Sequence, residues 1–204
     1  MGNTSNHILV VEDVANILEL LEVTLRFHGY QVVTATNGQE ALDLIEKEAP
    51  SLVITDILMP RLDGFSMVQR LRYNPRTREI PIIFLSATYV TPEDKAFALS
   101  LGATRFLEKP VDTEEFLQTV AEVLNREPAA VSPPLDQATF NKKYCERLES
   151  KLRHKNAQIA RTERLLETIS EDQKLAFQSL LQETRAQRDQ IQSELDRHYG
   201  DVPV

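Results

Sequence analysis

The 204-residue sequence predicts an α/β fold, a doubly wound five-stranded parallel sheet, with an all-α coiled-coil or helical-hairpin unit after it. Three observations carry this prediction. Short runs of branched and aromatic residues alternate with stretches of helical period as far as residue 125. A Pro-rich segment over 128–136 then interrupts any helix. After it no glycine occurs before Gly200 and no proline before Pro203, while apolar residues recur at spacings of three and four. Charge divides the chain in the same place. Residues 1–135 hold 11 basic and 19 acidic side chains, and residues 136–204 hold 12 of each, so the whole net charge of −8 lies on the first part.

The expected domains are therefore 1–127, a linker at 128–136, and a helical unit at 137–200. In the first, strands are predicted at Ile8–Val11, Gln31–Ala35, Leu52–Thr55, Ile82–Leu85 and Arg105–Leu107. Between the first two strands, Ile17, Leu20, Leu21, Thr24 and Leu25 share one helical face. Ala41, Leu42, Leu44 and Ile45 do so after the second. The same pattern predicts helices at 64–73, 92–101 and 112–125. Strands alternating with helices form a parallel sheet covered on both faces. Right-handed crossovers put every strand's carboxyl end on one edge, where such sheets bind ligands.

Composition excludes several classes. The acidic balance argues against non-specific binding of the whole chain to nucleic acid or anionic membrane. A single cysteine, Cys145, leaves no intramolecular disulfide and no cysteine-based zinc site. No apolar run approaches the roughly 20 residues of a membrane helix. Residues 1–6 are neither basic nor hydrophobic, so no signal peptide is expected. Gly2 lacks the hydroxyl residue of a myristoylation signal, because Asn6 stands there, and the Asn3 sequon has no secretory context. The chain reads as soluble and cytoplasmic.

The strand ends hold the chemistry. The first runs into Glu12-Asp13, the third into Asp56, the fourth into Ser86 and the fifth into Lys109-Pro110. Three carboxylates on one rim repel one another unless a cation sits among them, and hard oxygen ligands suit Mg2+. A lysine and a hydroxyl beside them suit a bound anion, which makes a phosphoryl-transfer site.

Residues 7–125 resemble the receiver domain of two-component response regulators. The pieces that match are Val10-Val11-Glu12-Asp13, Asp56-Ile57-Leu58-Met59-Pro60-Arg61-Leu62-Asp63-Gly64, Ser86-Ala87, Gly102-Ala103 and Phe106-Leu107-Glu108-Lys109-Pro110. The resemblance implies a flavodoxin-like strand order 2-1-3-4-5, with Asp56 as phosphoacceptor and Mg2+ as cofactor. Asp13 and Asp56 would ligate the metal directly, with the Leu58 main-chain carbonyl, and Glu12 through water. Lys109 would pair with the phosphoryl group. Ser86 and Phe106 would form the switch, Ser86 moving toward that group as Phe106 turns inward. A sensor histidine kinase is the implied partner, and the only catalysis expected is of the protein's own phosphorylation and dephosphorylation. Other readings accompany these: Glu12-Asp13 suits a helix cap and first-turn acid, Phe106 suits core, and Met59-Pro60 and Asp63-Gly64 shape a loop.

Two features depart from the transcriptional members of that family. Thr104-Arg105 stands where an acidic loop is usual, and the last helix is acidic at Glu114, Glu115 and Glu122. The usual symmetric ion-pair dimer is therefore not expected. Nor does a winged helix or helix-turn-helix follow the linker.

In the helical unit, Cys145, Leu148, Leu152, Lys155, Ile159, Thr162, Leu166 and Ile169 form one heptad seam. Phe177, Leu181, Thr184, Arg188, Ile191, Leu195 and His198 form another. Ser170 and Gln173 suit a capping box, yet no Gly or Pro marks a turn, so a hairpin and an unbroken rod both fit. A homodimer through 137–200 is expected, because such a thin apolar stripe is not stable alone. The leading function is a response regulator whose phosphorylation changes helical association or partner binding. The alternative is a DNA-binding regulator that uses the basic stretch 142–164. An enzymatic output has no convergent catalytic residues in 136–204 to support it.

Overall fold

The computed structural model describes residues 7–86, 92–126 and 133–200, excepting the side chains of 92–93, 171–173 and 198–200. Gly2, the Asn3 sequon, Ala87 and linker residues 128–132 lie outside the described residues. The chain divides into two compact units, 1–135 and 136–204.

Unit one alternates strand and helix in chain order. The elements are β1 (His7–Val11), α1 (Ala15–Phe27), β2 (Gln31–Ala35), α2 (Gly38–Lys47), β3 (Leu52–Asp56), α3 (Gly64–Tyr73), β4 (Ile82–Ser86), α4 (Pro92–Ser100), β5 (Arg105–Glu108) and α5 (Thr113–Leu124). The sheet is parallel throughout, in the order β2-β1-β3-β4-β5. β1, β3 and β4 are buried along their whole length, which is why each reads as a continuous apolar run rather than an alternating one. β2 and β5 are the edges and keep exposed positions.

Alternation along the strands sends Ile8, Val10, Leu52, Ile54, Ile83 and Leu85 to one core cluster, closed by Leu21 and Leu25 of α1 and Phe116, Val120 and Val123 of α5. Phe84 stands in the opposite register and packs on Phe65 of α3 at 4.8 Å, and Phe65 meets Phe97 of α4 at 5.0 Å. One expected core residue is misplaced: Leu20 of α1 is 65% exposed, and Leu18 packs against the cluster in its stead. The adjacent leucines 20 and 21 differ by about 100° of helix turn, and here that turn carries Leu20 off the side that meets the sheet.

Helix starts follow local chemistry. Asn37, Asp63 and Asp112 cap α2, α3 and α5 with side-chain oxygens. Asp13 does not cap α1. That helix has Val14 at its N-cap with no side-chain bond, and the Val14 N–H instead donates to Glu12 Oε1 at 3.3 Å. The loop from α3 into β4 and the turn into β5 are tied by Arg72, a buried residue near the end of α3. It donates to the carbonyls of Arg78, Ile80, Leu101 and Gly102 at 2.9–3.3 Å. Burial pulls its guanidinium down to about 10, so it stays charged at neutral pH.

Unit two settles the choice between hairpin and rod. α6 (Gln137–Thr168) and α7 (Glu171–Gly200) are separate helices that pack on each other. The break falls at Ile169, whose extended backbone ends α6 without help from Gly or Pro. Of the two apolar seams, Leu148, Ile159 and Thr162 of α6 and Leu181, Thr184, Ile191 and Leu195 of α7 are buried. Buried Lys155 donates to Gln187 at 2.6 Å, and Glu163 pairs with Arg185 across the hairpin at 2.6 Å. Asp136 caps α6 through Thr139.

Candidate functional site

The carboxyl edge of the sheet gathers the residues that the strand ends promised. Glu12 follows β1, and its N–H donates to the Ala35 carbonyl of β2 at 3.0 Å, which continues the ladder one residue beyond the strand. Asp56 ends β3. Lys109 follows β5, where its N–H donates to the Ser86 carbonyl at 2.7 Å and so keeps β4 and β5 in register at this rim. Glu12, Asp13 and Asp56 each offer a carboxylate oxygen within 4.8 Å of the others. Lys109 Nζ lies 2.5 Å from Glu12 and 3.1 Å from Asp56. Ser86 is buried beside them, Phe106 is half-buried on β5, and Leu58 is half-buried in the loop after β3.

Burial decides the electrostatics. Glu12 and Asp56 are nearly inaccessible, and burial raises both carboxyls above their ordinary values against the opposing pull of Lys109. Burial also opposes the charge on Lys109, but Asp56 and Glu12 together outweigh it and hold the ammonium above its usual value. One ammonium thus stands against three carboxylates and pairs with two of them, Glu12 and Asp56, while Asp13, the exposed one, makes no ion pair among the described contacts. Hard oxygen donors in excess of nearby positive charge fit a divalent cation such as Mg2+.

The loop from Ile57 to Asp63 is tightly held. The Gly64 N–H donates to the Ile57 carbonyl at 2.8 Å, and Asp63 Oδ1 accepts from Phe65 and Ser66 at the start of α3. Gly64 passes so close to the acceptor strand that a Cβ there would lie 2.1 Å from the Asp56 carbonyl oxygen. Arg61 takes a left-handed conformation at φ 66°. Two features escaped sequence reasoning. Lys109 is shared with Glu12, and Gly64 is required by close approach rather than by turn geometry. The first had no signal beyond charge. The second had the bare Asp-Gly pair.

A family model for the response regulator receiver domain matches residues 8–121. The chain belongs to this family. Its sheet order, β2-β1-β3-β4-β5, is the one the resemblance implied. The chain is 41% identical over 126 residues to "Probable transcriptional regulator ycf27" of Porphyra purpurea, covering 62% of this chain and 50% of that one. It is 36% identical over 119 residues to "DNA-binding dual master transcriptional regulator RpaA" of Synechocystis, covering 58% and 49%. The chain thus spans about half the length of these curated relatives. Among solved structures it is similar to a putative response regulator from Chloroflexus aurantiacus, with a TM-score of 0.56 and 35% identity, covering 60% of this chain and all of that one. It is also similar to the Vibrio cholerae chemotaxis protein CheY4, with a TM-score of 0.55 and 34% identity, covering 59% and 99%. On the last strand and helix of the receiver, Arg105 and Glu122 pair within the chain at 3.6 Å. Among the described residues no helix is long and apolar enough to cross a membrane.

Proposed function

We propose that the protein is a phosphoacceptor switch of a two-component phosphorelay in the cytoplasm, with Asp56 taking a phosphoryl group from a sensor histidine kinase. The observation that carries this reading is the convergence of Asp56, Asp13, Glu12 and Lys109 on one rim. In the reaction an Asp56 carboxylate oxygen attacks phosphorus, and the bond from phosphorus to the donor breaks with its electron pair leaving on the donor. An aspartyl phosphate remains. Lys109 is placed to follow the charge from the carboxylate to the phosphoryl oxygens. Ser86 would hydrogen-bond the group, and Phe106 would turn inward as Ser86 moves. Asp13, Asp56 and the Leu58 carbonyl would hold Mg2+, with Glu12 acting through water. The ion would neutralise phosphoryl charge. The protein's catalysis ends with its own phosphorylation and dephosphorylation. With Mg2+ and acetyl phosphate the wild type should gain one acid-labile phosphoryl group and Asp56→Asn none; equal labelling of the variant would refute the assignment.

The metal assignment makes a separate prediction. Asp13→Asn should weaken Mg2+ binding, followed by titration calorimetry, far more than Glu12→Gln. Equal losses would make Glu12 a direct ligand.

Output belongs to residues 137–200, which we read as a homodimerisation unit whose association, or hold on a protein partner, follows the phosphorylation state. A lone hairpin leaves Leu165, Leu175 and Leu180 exposed. Two hairpins in a four-helix bundle would bury more of that surface, at roughly 25 cal/mol per Å2 of apolar area. The full chain should sediment as a dimer at micromolar concentration, and residues 1–127, taken as an autonomous domain, as a monomer. A monomeric full chain with intact helicity would exclude this reading. A second reading, DNA binding, draws on relatives named as transcriptional regulators and on the exposed Lys142, Lys143, Arg153, Arg161 and Arg164 of α6. It predicts salt-dependent retention on duplex DNA that is lost when these residues become Gln.

A further inference from the structure

Gln69 and Tyr73 make a contact that the acceptor chemistry does not use. They lie four residues apart, hence on one face of α3. Both donate to the main-chain carbonyl of Leu135, Gln69 Nε2 at 2.6 Å and Tyr73 Oη at 2.7 Å. A carbonyl oxygen has two lone pairs, and here each has its own donor. Leu135 is followed directly by Asp136, the N-cap of α6. The two side chains thus moor the residue from which the helical unit departs.

The other end of α3 is fixed to the acceptor. Gly64 is its first residue, and its backbone abuts the Asp56 carbonyl and bonds to Ile57. No compliant side chain separates the acceptor strand from the first turn of this helix. Along α3 two buried polar atoms have no hydrogen-bond partner, Ser66 Oγ and Gln69 Oε1. An unsatisfied buried polar atom costs free energy that a different arrangement can recover. The resting contact is therefore geometrically tight yet incompletely satisfied.

We propose that α3 is the output lever of this receiver, with Gln69 and Tyr73 forming a latch on Leu135 that phosphorylation of Asp56 releases. The coupling rests on the reading of Asp56 as acceptor; the latch itself does not. A phosphoryl group needs room beside the loop that leads into Gly64, and a displacement there passes along a rigid helix about 15 Å long. Bonds of 2.6–2.7 Å have little slack, so a shift of about 1 Å takes both donors out of range. Leu135, the residue before the α6 N-cap, is then free of α3, which gives phosphorylation a route to the helical unit.

Hydrogen exchange by mass spectrometry on the full chain tests this, read on peptides covering 133–141. Samples are the wild type, Tyr73→Phe, and Gln69→Leu with Tyr73→Phe, each with and without Mg2+ and acetyl phosphate. Phosphoryl stoichiometry is measured in the same tubes, and far-UV circular dichroism checks folding. Without phosphodonor, exchange should rise several-fold in Tyr73→Phe and about tenfold in the double variant, as expected for losing one and two hydrogen bonds. Phosphorylation should raise the wild type to the level of the double variant and leave the double variant unchanged. Labelling itself should be the same in all three. Variants that exchange at the wild-type rate would exclude the latch. A fully labelled wild type that exchanges like the unlabelled one would exclude its control by Asp56. A wild type that takes no label defeats the acceptor reading, and the coupling with it, while the variants still decide whether the latch exists.

Discussion

Alanine at Gly64 should cost the receiver about 2–3 kcal/mol and slow its phosphorylation, although glycine-to-alanine changes in a helix are ordinarily stabilising by up to about 1 kcal/mol. The added Cβ would stand 2.1 Å from the Asp56 carbonyl oxygen and 3.2 Å from both the Asp56 carbonyl carbon and Thr55 Oγ1. Two of these atoms are backbone, so the clash is relieved only by moving the acceptor strand or the start of α3. Either movement displaces the nucleophile. Gly29→Ala is the proper comparison. It adds the strain of φ 86° but has nothing within 4 Å of the new methyl, so about 1 kcal/mol is expected there. Urea unfolding of both variants, with initial phosphorylation rates from acetyl phosphate, separates a stability loss from an acceptor effect. The account of the loop fails if Gly64→Ala is no worse than Gly29→Ala.

Arg72→Met should be the most destabilising change away from the phosphorylation rim, at about 3 kcal/mol or more. The substitution keeps most of the buried stem and removes donors from four carbonyls, those of Arg78, Ile80, Leu101 and Gly102. Buried carbonyls that lose their donors cost about 1–3 kcal/mol each where no water reaches them. Lysine should rescue little, because a point charge with three donors cannot span a set of acceptors arranged around a planar fork. Unfolding midpoints of wild type, Arg72→Lys and Arg72→Met should therefore fall in that order, with the lysine variant close to methionine. Near wild-type stability of Arg72→Met would show that these carbonyls find other donors.

What could be read from the sequence, and what could not, follows from the range of the interactions. The strands were legible because β1, β3 and β4 are buried on both faces and must be apolar throughout, and because each ends at once in a polar residue with no place in a core. The acidic rim was legible because parallel topology alone brings those ends together. Arg72 was not. An arginine near the end of a helix reads as a solvated charge, and only the return of the chain at residues 78–80 and 101–102 encloses it. The bond from Lys109 to Glu12 depends on side-chain reach across two strand ends, which charge pattern leaves open.

The helical unit shows another limit. Heptad spacing persists through a hairpin and through a rod alike, and Ile169-Ser170 breaks the helix without glycine or proline. The pairing of Glu163 with Arg185 and of Lys155 with Gln187 is what the sequence could not specify, since either residue could equally have faced a second chain. Asp13 illustrates a competition resolved locally. It suited both a cap and a metal ligand, and with α1 beginning at Ala15 its carboxylate stays exposed at the rim beside Glu12 and Asp56.

The most direct test of the central claim is to locate the phosphoryl group. The full chain is treated briefly with acetyl phosphate and Mg2+, then reduced with borohydride, which converts an acyl phosphate of aspartate to homoserine, and mapped by peptide mass spectrometry. The account predicts conversion at Asp56, dependent on Mg2+, with Glu12, Asp13 and Asp63 intact. Conversion at any other carboxylate, or a phosphorylated protein in which Asp56 is untouched, would contradict it.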